Sequence, residues 1–513
     1  MKVETKDKVI YVQLPQKLFN KLECIIAERL KLGGTKKLRL APAAYLVYQI
    51  VEMPSRKKEL SEDGWVPFCS EVYNDILHFS SYMKLLLDEK LIERHHKNYS
   101  TASHNCYRYR LAKEYRNHVV KTFSVDAAKL FVAARKNKKL ERMKVARSKT
   151  PHLTKWLNPE DFQIDYEKAL RYINSKYSDA KNLQKKNNRL IALDKIKIKE
   201  WGYSREGEDN RLHSLLTSLP SDLKTFVTYK RQKLISIDVK NSQPFIFSAI
   251  INNLVLEKNS YLGTLNDVLD KLKEEGETGT LPRCISNSFT NDILKYFNNN
   301  PSISTMFDSF DSLSNNGDLE CFVKEVQGGE FYENFGEIIW NANLLTKNSS
   351  GQYFLTETSK KGLKSNEYES LRKASKDVIM KILFGSKESR KNYINVFEDN
   401  YIEVYQIMQK IKNYRPEQKN FFPVLLQNIE ADFILDYSTK LISNEYPEIP
   451  LFTIHDSIVT TLDSVDIVEK AFRKHLKRYF GIIPELKREH WITKDMKFME
   501  LLKSSVQEKK ISA

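Results

Sequence analysis

The sequence of 513 residues predicts an α+β protein, on three observations. First, segments such as APAAYLVYQIVEM and LRKASKDVIMKILFGSKES space their apolar residues as amphipathic helices do. Second, two short apolar runs read as strands that each deliver an aspartate. Leu234, Ile235 and Ile237 lead to Asp238, and Leu451 to Ile454 lead to His455-Asp456. Third, 41% of the residues are hydrophobic, which supports a real core, and the length allows roughly two to four domains.

Residues 1–115 read as one unit. After the helix APAAYLVYQIVEM, WVPFCSEVYNDIL and SSYMKLLLDEKLIERHHKNYS read as two more helices, and TASHNCYRYRLAKEY alternates Tyr with Arg as a strand does. Helices followed by a basic hairpin form the pattern of a winged helix, whose second helix can enter a DNA groove. The alternative is a small helical domain for protein contacts. Residues 116–204 form a basic helical region, with ARKNKKLERMKVARSK and KNLQKKNNRLIALDKIKIK carrying most of its charge. Such runs are solvated faces, or they track a phosphate backbone. Residues 257–320 are poorer in pattern and read as an insertion of small helices between loop signals such as NNNPS and SLSNNGD. Residues 481–513 read as a C-terminal tail that frays from about residue 500.

The formal net charge is +17, which favours a polyanionic partner, nucleic acid before others. The five cysteines, Cys24, Cys69, Cys106, Cys284 and Cys321, are scattered and form no CxxC pair. That excludes a disulfide framework and a cysteine-built zinc site, and it points to a reducing compartment. The start, MKVETKDKVIYVQL, lacks the apolar core of a signal peptide, and no window of 18 apolar residues occurs. A cytoplasmic protein without a membrane span is therefore expected.

The chemistry gathers in four segments. Asp238 ends its strand just before QPFIFSAIINNL, a helix start with Pro244 in the first turn. Asp456 occupies the same kind of place, and two carboxylates on adjacent strands can hold a pair of Mg²⁺ ions. In the third segment Arg372, Lys376, Met380 and Phe384 recur every four residues and share one broad helical face, which Gly385 stops. Cations at one end can clamp a triphosphate while the ring stacks near a base or sugar. The alternative is a surface helix with a buried Met-Phe stripe. The fourth segment, FFPVLLQNIEADFILDYSTKLI, reads as a helix leading toward His455, with Gln427 and Asp432 polar on an apolar frame. Gln427 can hydrogen-bond a minor groove or simply face solvent.

In order and content these segments resemble the palm and fingers of single-subunit polymerases, the phage-type RNA polymerases and family A DNA polymerases. Asp238, Ser242 and Phe247-Ser248-Ala249 fit the phage-type first motif without a gap. Arg372, Lys373, Lys376, Met380, Gly385, Ser386, Lys387 and Glu388 fit its fingers helix. His455, Asp456, Ser457 and Thr460 match the last motif, and Gln427, Ala431 and Asp432 match the Gln-x-x-x-Ala-Asp pattern of family A helices. The segment EGEDNRLHSLLTSL resembles a Gly-Arg motif that contacts the template or product strand. Arg211 supplies its Arg and His213 assists, although Asn210 replaces the Gly and a plain surface loop is the alternative.

The resemblance implies a right-hand polymerase with an antiparallel palm sheet and helical fingers and thumb. Palm and fingers would lie in 205–480, with 116–204 as thumb or linker. It implies nucleotidyl transfer from a nucleoside triphosphate to a primer on a DNA template. Asp238 and Asp456 would bind two Mg²⁺, helped by the carbonyl of Val239. Arg372 and Lys376 would hold the triphosphate, with Lys376 donating a proton to pyrophosphate. Phe384 would stack by the nascent pair, Gln243 would gate the sugar, and Gln427 and His455 would meet nucleic acid. Phage-type RNA polymerases carry Tyr where this chain has Phe384 and Gly where it has Gln243. Both departures lean toward deoxyribonucleotides, and so toward a DNA polymerase of a phage, plasmid or other mobile element. A single-subunit RNA polymerase or primase is the runner-up. From other classes, a non-catalytic replication initiator and a metal-dependent nuclease stay open.

Overall fold

The computed structural model describes residues 9–31, 38–56, 64–69, 73, 78–95, 106–253, 317–359, 362–385, 391–414 and 420–492. Most of the expected insertion at 257–320 lies outside them, as do Ser386, Lys387, Glu388 and the chain beyond 492. The protein is α+β, with helices outnumbering strands among the described residues. The strand pairs in register are antiparallel. Among the described residues no helix is long and apolar enough to cross a membrane, and Cys24, Cys69, Cys106 and Cys321 form no disulfide. The chain divides into two compact units. One is drawn from Met1–Arg205, His213–Leu234 and His490–Ala513, the other from Glu206–Leu212 and Ile235–Glu489.

In the first unit the strand Val9–Pro15 pairs with Val120–Asp126, from Val9↔Asp126 to Pro15↔Val120. The expected boundary at 115 is therefore crossed by a sheet. It is crossed by the core too, which runs continuously from Ile10 to Phe131. Helices Gln16–Lys31, Leu40–Arg56 and Phe79–Asp88 pack on that core through residues such as Leu22, Val47 and Leu86. Lys195, on the helix Leu183–Lys197, pairs with the buried Glu52. A small sheet follows the spatial order Val66–Pro67, Arg108–Leu111, Ile92–Arg94.

Two expected helices are corrected here. WVPFCSEVYNDIL opens as the strand Val66–Pro67, because Pro67 pushes its neighbour into the extended region and cannot serve inside a helix. In the segment from Ser80 to Ser100, whose described part ends at His95, the helix stops at Asp88. Lys90, at φ 53°, breaks it, and Ile92–Arg94 continues as a strand. The Tyr-Arg alternation does form a strand, Arg108–Leu111. The basic region contributes the long helix Lys129–Lys149 and the helix Tyr166–Lys176.

In the second unit the hairpin of Phe452–Ile454 and Ser457–Thr461 lies beside the strand Gln232–Val239, which also pairs with Leu486–His490. Residues 486–490, expected in the C-terminal tail, thus belong to a sheet. Helices Ser242–Ile251, Phe421–Ala431 and Val465–Phe480 share an aromatic core in which Phe245 meets Phe480 at 5.1 Å and Phe247 meets Phe422 at 5.2 Å. A π-helical stretch, Asp432–Ser438, extends the second of these. The helix Phe331–Asn341 lies against Leu371–Phe384 so closely that a Cβ on Gly336 would come within 3.2 Å of the Leu371 backbone.

Candidate active site

The site is assembled within the second unit. Leu234, Ile235 and Ile237 are buried and carry the strand to Asp238, which stays half-buried. Ser236 Oγ lies 3.5 Å from both Asp238 Oδ2 and Glu489 Oε2. The neighbouring hairpin closes at Ile454↔Ser457, leaving His455-Asp456 as a two-residue turn. Such turns need positive φ at the first position and normally take Gly or Asn. Here His455 takes it, at φ 53°. A non-glycine residue in that region costs on the order of 1–3 kcal/mol, strain that persists where the surroundings over-determine it. The turn leaves His455 exposed and Asp456 half-buried.

The Asp456 carboxyl is pushed up to about 7, first by burial and then by the carboxylates of Glu430 and Asp238, while Arg211 acts in the opposite direction. Two acids from distant segments, Glu430 and Asp238, are thus close enough to raise the cost of ionising Asp456. Glu430 is only 3% exposed and is densely partnered. Arg211 donates to its Oε1 from Nε at 3.0 Å and Nη2 at 2.5 Å. Ser242 Oγ at 2.9 Å and Gln243 Nε2 at 2.6 Å both donate to its Oε2. A cavity of about 10 Å³, room for one water, is bordered by Val239, Ser242, Glu430 and Asp456.

The predicted residues fare differently. Arg211 is committed to Glu430. Asn210 takes φ 51°, a left-handed conformation that Asn tolerates, and it donates to Asp432 Oδ1 at 3.1 Å. His213 belongs to the first unit, where its main chain exchanges hydrogen bonds with Ser204. Gln243 is 7% exposed and turned onto Glu430. Gln427 is half-exposed, one turn ahead of Glu430 on the same helix.

The helix Leu371–Phe384 starts on the Ser370 cap and buries Ala374, Val378, Ile379 and Ile382. Arg372, Lys376, Met380 and Phe384 are left on its less buried face, so the Met-Phe stripe is half-buried, not core. Lys376 is exposed, with no hydrogen bond or ion pair among the described residues. Arg372 pairs with Glu333 at 2.6 Å and lies 5.5 Å from the Tyr332 ring. Tyr332 is 3% exposed, and burial holds its hydroxyl well above the usual phenol range. Arg372 acts against that shift and Asp456 adds to it, so the ring is within electrostatic reach of both.

Sequence reasoning missed Glu430, Tyr332 and Asn241. Glu430 had a signal, an acid on an apolar helical frame where charges survive only when paired. Tyr332 had none, since the contacts that place it come from remote segments.

Among the described residues no group of three or more His, Cys, Asp or Glu is arranged to hold a metal ion. Magnesium does not require one, because it binds through one or two carboxylates and keeps waters and substrate phosphates as its other ligands. The fit of Asp238 and Asp456 to it rests on the raised Asp456 carboxyl, a buried excess of negative charge that a cation offsets.

No family model and no curated protein matches the chain. A solved structure it resembles is the POL domain of Pol1 from M. smegmatis in complex with a DNA primer-template and dNTP, at 8% identity and a TM-score of 0.24. The match covers 63% of this chain and 55% of that one, so the chain spans about half the length of that domain. A likeness at that level decides neither fold nor activity.

Proposed function

We propose that the chain is a template-directed nucleotidyltransferase, a DNA polymerase before an RNA polymerase, that extends a primer from nucleoside triphosphates. One observation carries the reading. Asp238 ends its strand, Asp456 sits in the turn of the neighbouring hairpin, and the carboxylates of Glu430 and Asp238 are close enough to help burial push Asp456 up to about 7. Asp238, Asp456 and the carbonyl of Val239 would hold two Mg²⁺. When bound, such a pair stabilises the attacking and leaving oxygens of an in-line phosphoryl displacement. Arg372 and Lys376 present cations to a triphosphate from one helical face, and Lys376 has no partner among the described residues to give up. Lys376 can also donate a proton to the departing pyrophosphate. Phe384 ends the same face as a stacking ring. The bulk of Gln243 and the missing hydroxyl at Phe384 favour deoxyribonucleotides.

Helix, strand, helix and two strands in the sheet order Val66–Pro67, Arg108–Leu111, Ile92–Arg94 support a winged-helix reading of the N-terminal part, and with it a duplex contact.

The test is primer extension. Asp238→Ala and Asp456→Ala should each lower incorporation by about 10³-fold or more, because loss of a metal clamp costs several kcal/mol of barrier. DNA binding should persist in both. Extension near the wild-type rate by either variant overturns the proposal.

A further inference from the structure

In the second unit three buried amide atoms beside the acids have no hydrogen-bond partner among the described residues. They are Gln243 Oε1, Asn241 Nδ2 and Asn241 Oδ1. Both side chains are more than nine-tenths buried, Gln243 at 7% and Asn241 at 6% exposed. Buried polar atoms are nearly always paired, so each orphan asks for an explanation. For Gln243 the cause is visible. Arg211 occupies Glu430 Oε1, and Ser242 shares Oε2 with the Gln243 amide. A carboxylate clamped by a guanidinium offers only acceptors, so Gln243 must turn its NH₂ toward it. The amide is planar, and its oxygen is thereby fixed on the far side as an acceptor awaiting a donor. Asn241 precedes it at φ 55°, at the start of the same helix.

The donor follows from the chemistry of a nucleotide. A triphosphate brings acceptors only. Base donors differ among the four bases, and a templated site must admit all four. The donor common to them is a sugar hydroxyl, which in a deoxyribonucleotide is the 3′-hydroxyl. We propose that Glu430 is a positioning residue that makes Gln243 Oε1 a fixed acceptor for the 3′-hydroxyl of the incoming nucleotide. This inference rests on the nucleotidyl-transfer reading above.

The experiment measures Kd for dTTP and for its 3′-deoxy analogue ddTTP. The full chain is bound to a primer-template whose primer ends in a 3′-deoxynucleotide, with Mg²⁺ present, so that no chemistry occurs. Wild type should prefer dTTP by about 5- to 150-fold, the range for leaving a buried acceptor unpaired. Glu430→Gln keeps the shape but lets the Gln243 amide face either way, and the ratio should fall to within about threefold. Gln243→Met keeps the length without an acceptor and should do the same, which covers a Glu430 variant that fails to fold. A purely structural role would weaken both ligands together and leave the ratio intact. Equal affinities in wild type, as when a water alone meets Gln243 Oε1, overturn the assignment, as does a ratio that survives both substitutions. Primer extension by wild type, run alongside, separates the two readings. Extension without the preference overturns the acceptor alone. The preference without extension overturns the polymerase and leaves the acceptor standing. No binding of either nucleotide overturns both.

Discussion

Asp456 ties the site to the stability of the chain. Its carboxyl is pushed from 3.8 up to about 7 by burial and by its acidic neighbours. Between those values the folded state holds a proton that the unfolded state has released, so stability falls as pH rises through that window and levels off above it. Asp456→Asn stays neutral throughout. Without divalent cations its melting temperature should gain on wild type progressively from pH 4 to pH 7 and hold that gain at pH 8. Melting curves at several pH values check this, and a gain that does not grow with pH refutes the buried-acid account. The two aspartates were legible in the sequence because a strand, an acid and a turn are local features. Glu430 showed only as an acid on an apolar frame, and its partner was not legible, because the guanidinium that compensates its burial arrives from Arg211, more than 200 residues away. Gln243 was legible as a large side chain at a sensitive position, but the direction its amide faces depends on that same remote carboxylate.

At the scale of elements, the helix Leu371–Phe384 depends on the fit of Phe331–Asn341 against its first turn. A methyl group on Gly336 would meet Leu371 C, O and Cβ at 3.2 Å, and two of those are main-chain atoms that cannot rotate aside. Gly336→Ala gains up to about 1 kcal/mol in helix propensity. Overpacking against main chain costs about 1–3 kcal/mol. The loss should win, lowering stability and shifting Arg372, which follows Leu371 directly and pairs with Glu333 on the other helix. A chemical melt should show a lower midpoint, and extension assays a higher KM for nucleotide. A midpoint at or above wild type would mean that the helices separate without strain. Periodicity was enough to foresee both Leu371–Phe384 and Phe421–Ala431. It misread Val66–Pro67, where a proline outweighed an apolar pattern, and it gave no warning that Val9–Pro15 would seek Val120–Asp126 as its partner. Strand partnership across more than 100 residues is set by tertiary packing, which local spacing does not encode.

For the whole molecule the open physical question is where the net charge of +17 acts. The helix Lys129–Lys149 carries nine Lys and Arg residues against the single acid Glu141, and it buries only Phe131 and Ala146. Like charges three and four residues apart repel one another, so on stability grounds this helix is a liability. A polyanion removes that liability by binding along the helix. Lys136, Lys138 and Lys144 are all exposed along this helix, on more than one of its sides, and glutamine at each should change stability by no more than about 0.5 kcal/mol. If the helix follows a DNA backbone, each phosphate that no longer meets a lysine should reduce the slope of log K against log salt by about 0.9. The triple variant should then bind duplex DNA with a slope lower by up to about 3, while affinity at low salt falls without regard to base sequence. Titrations at several salt concentrations read the slope directly. An unchanged slope assigns the helix to solvent, and the DNA-binding surface must then be sought in the Arg108–Leu111 sheet, where Arg110 already lies 4.0 Å from the Trp65 ring and Arg94 4.9 Å from Tyr107. There Arg110 is also paired with Glu93 at 3.0 Å, so a phosphate would have to compete with that carboxylate.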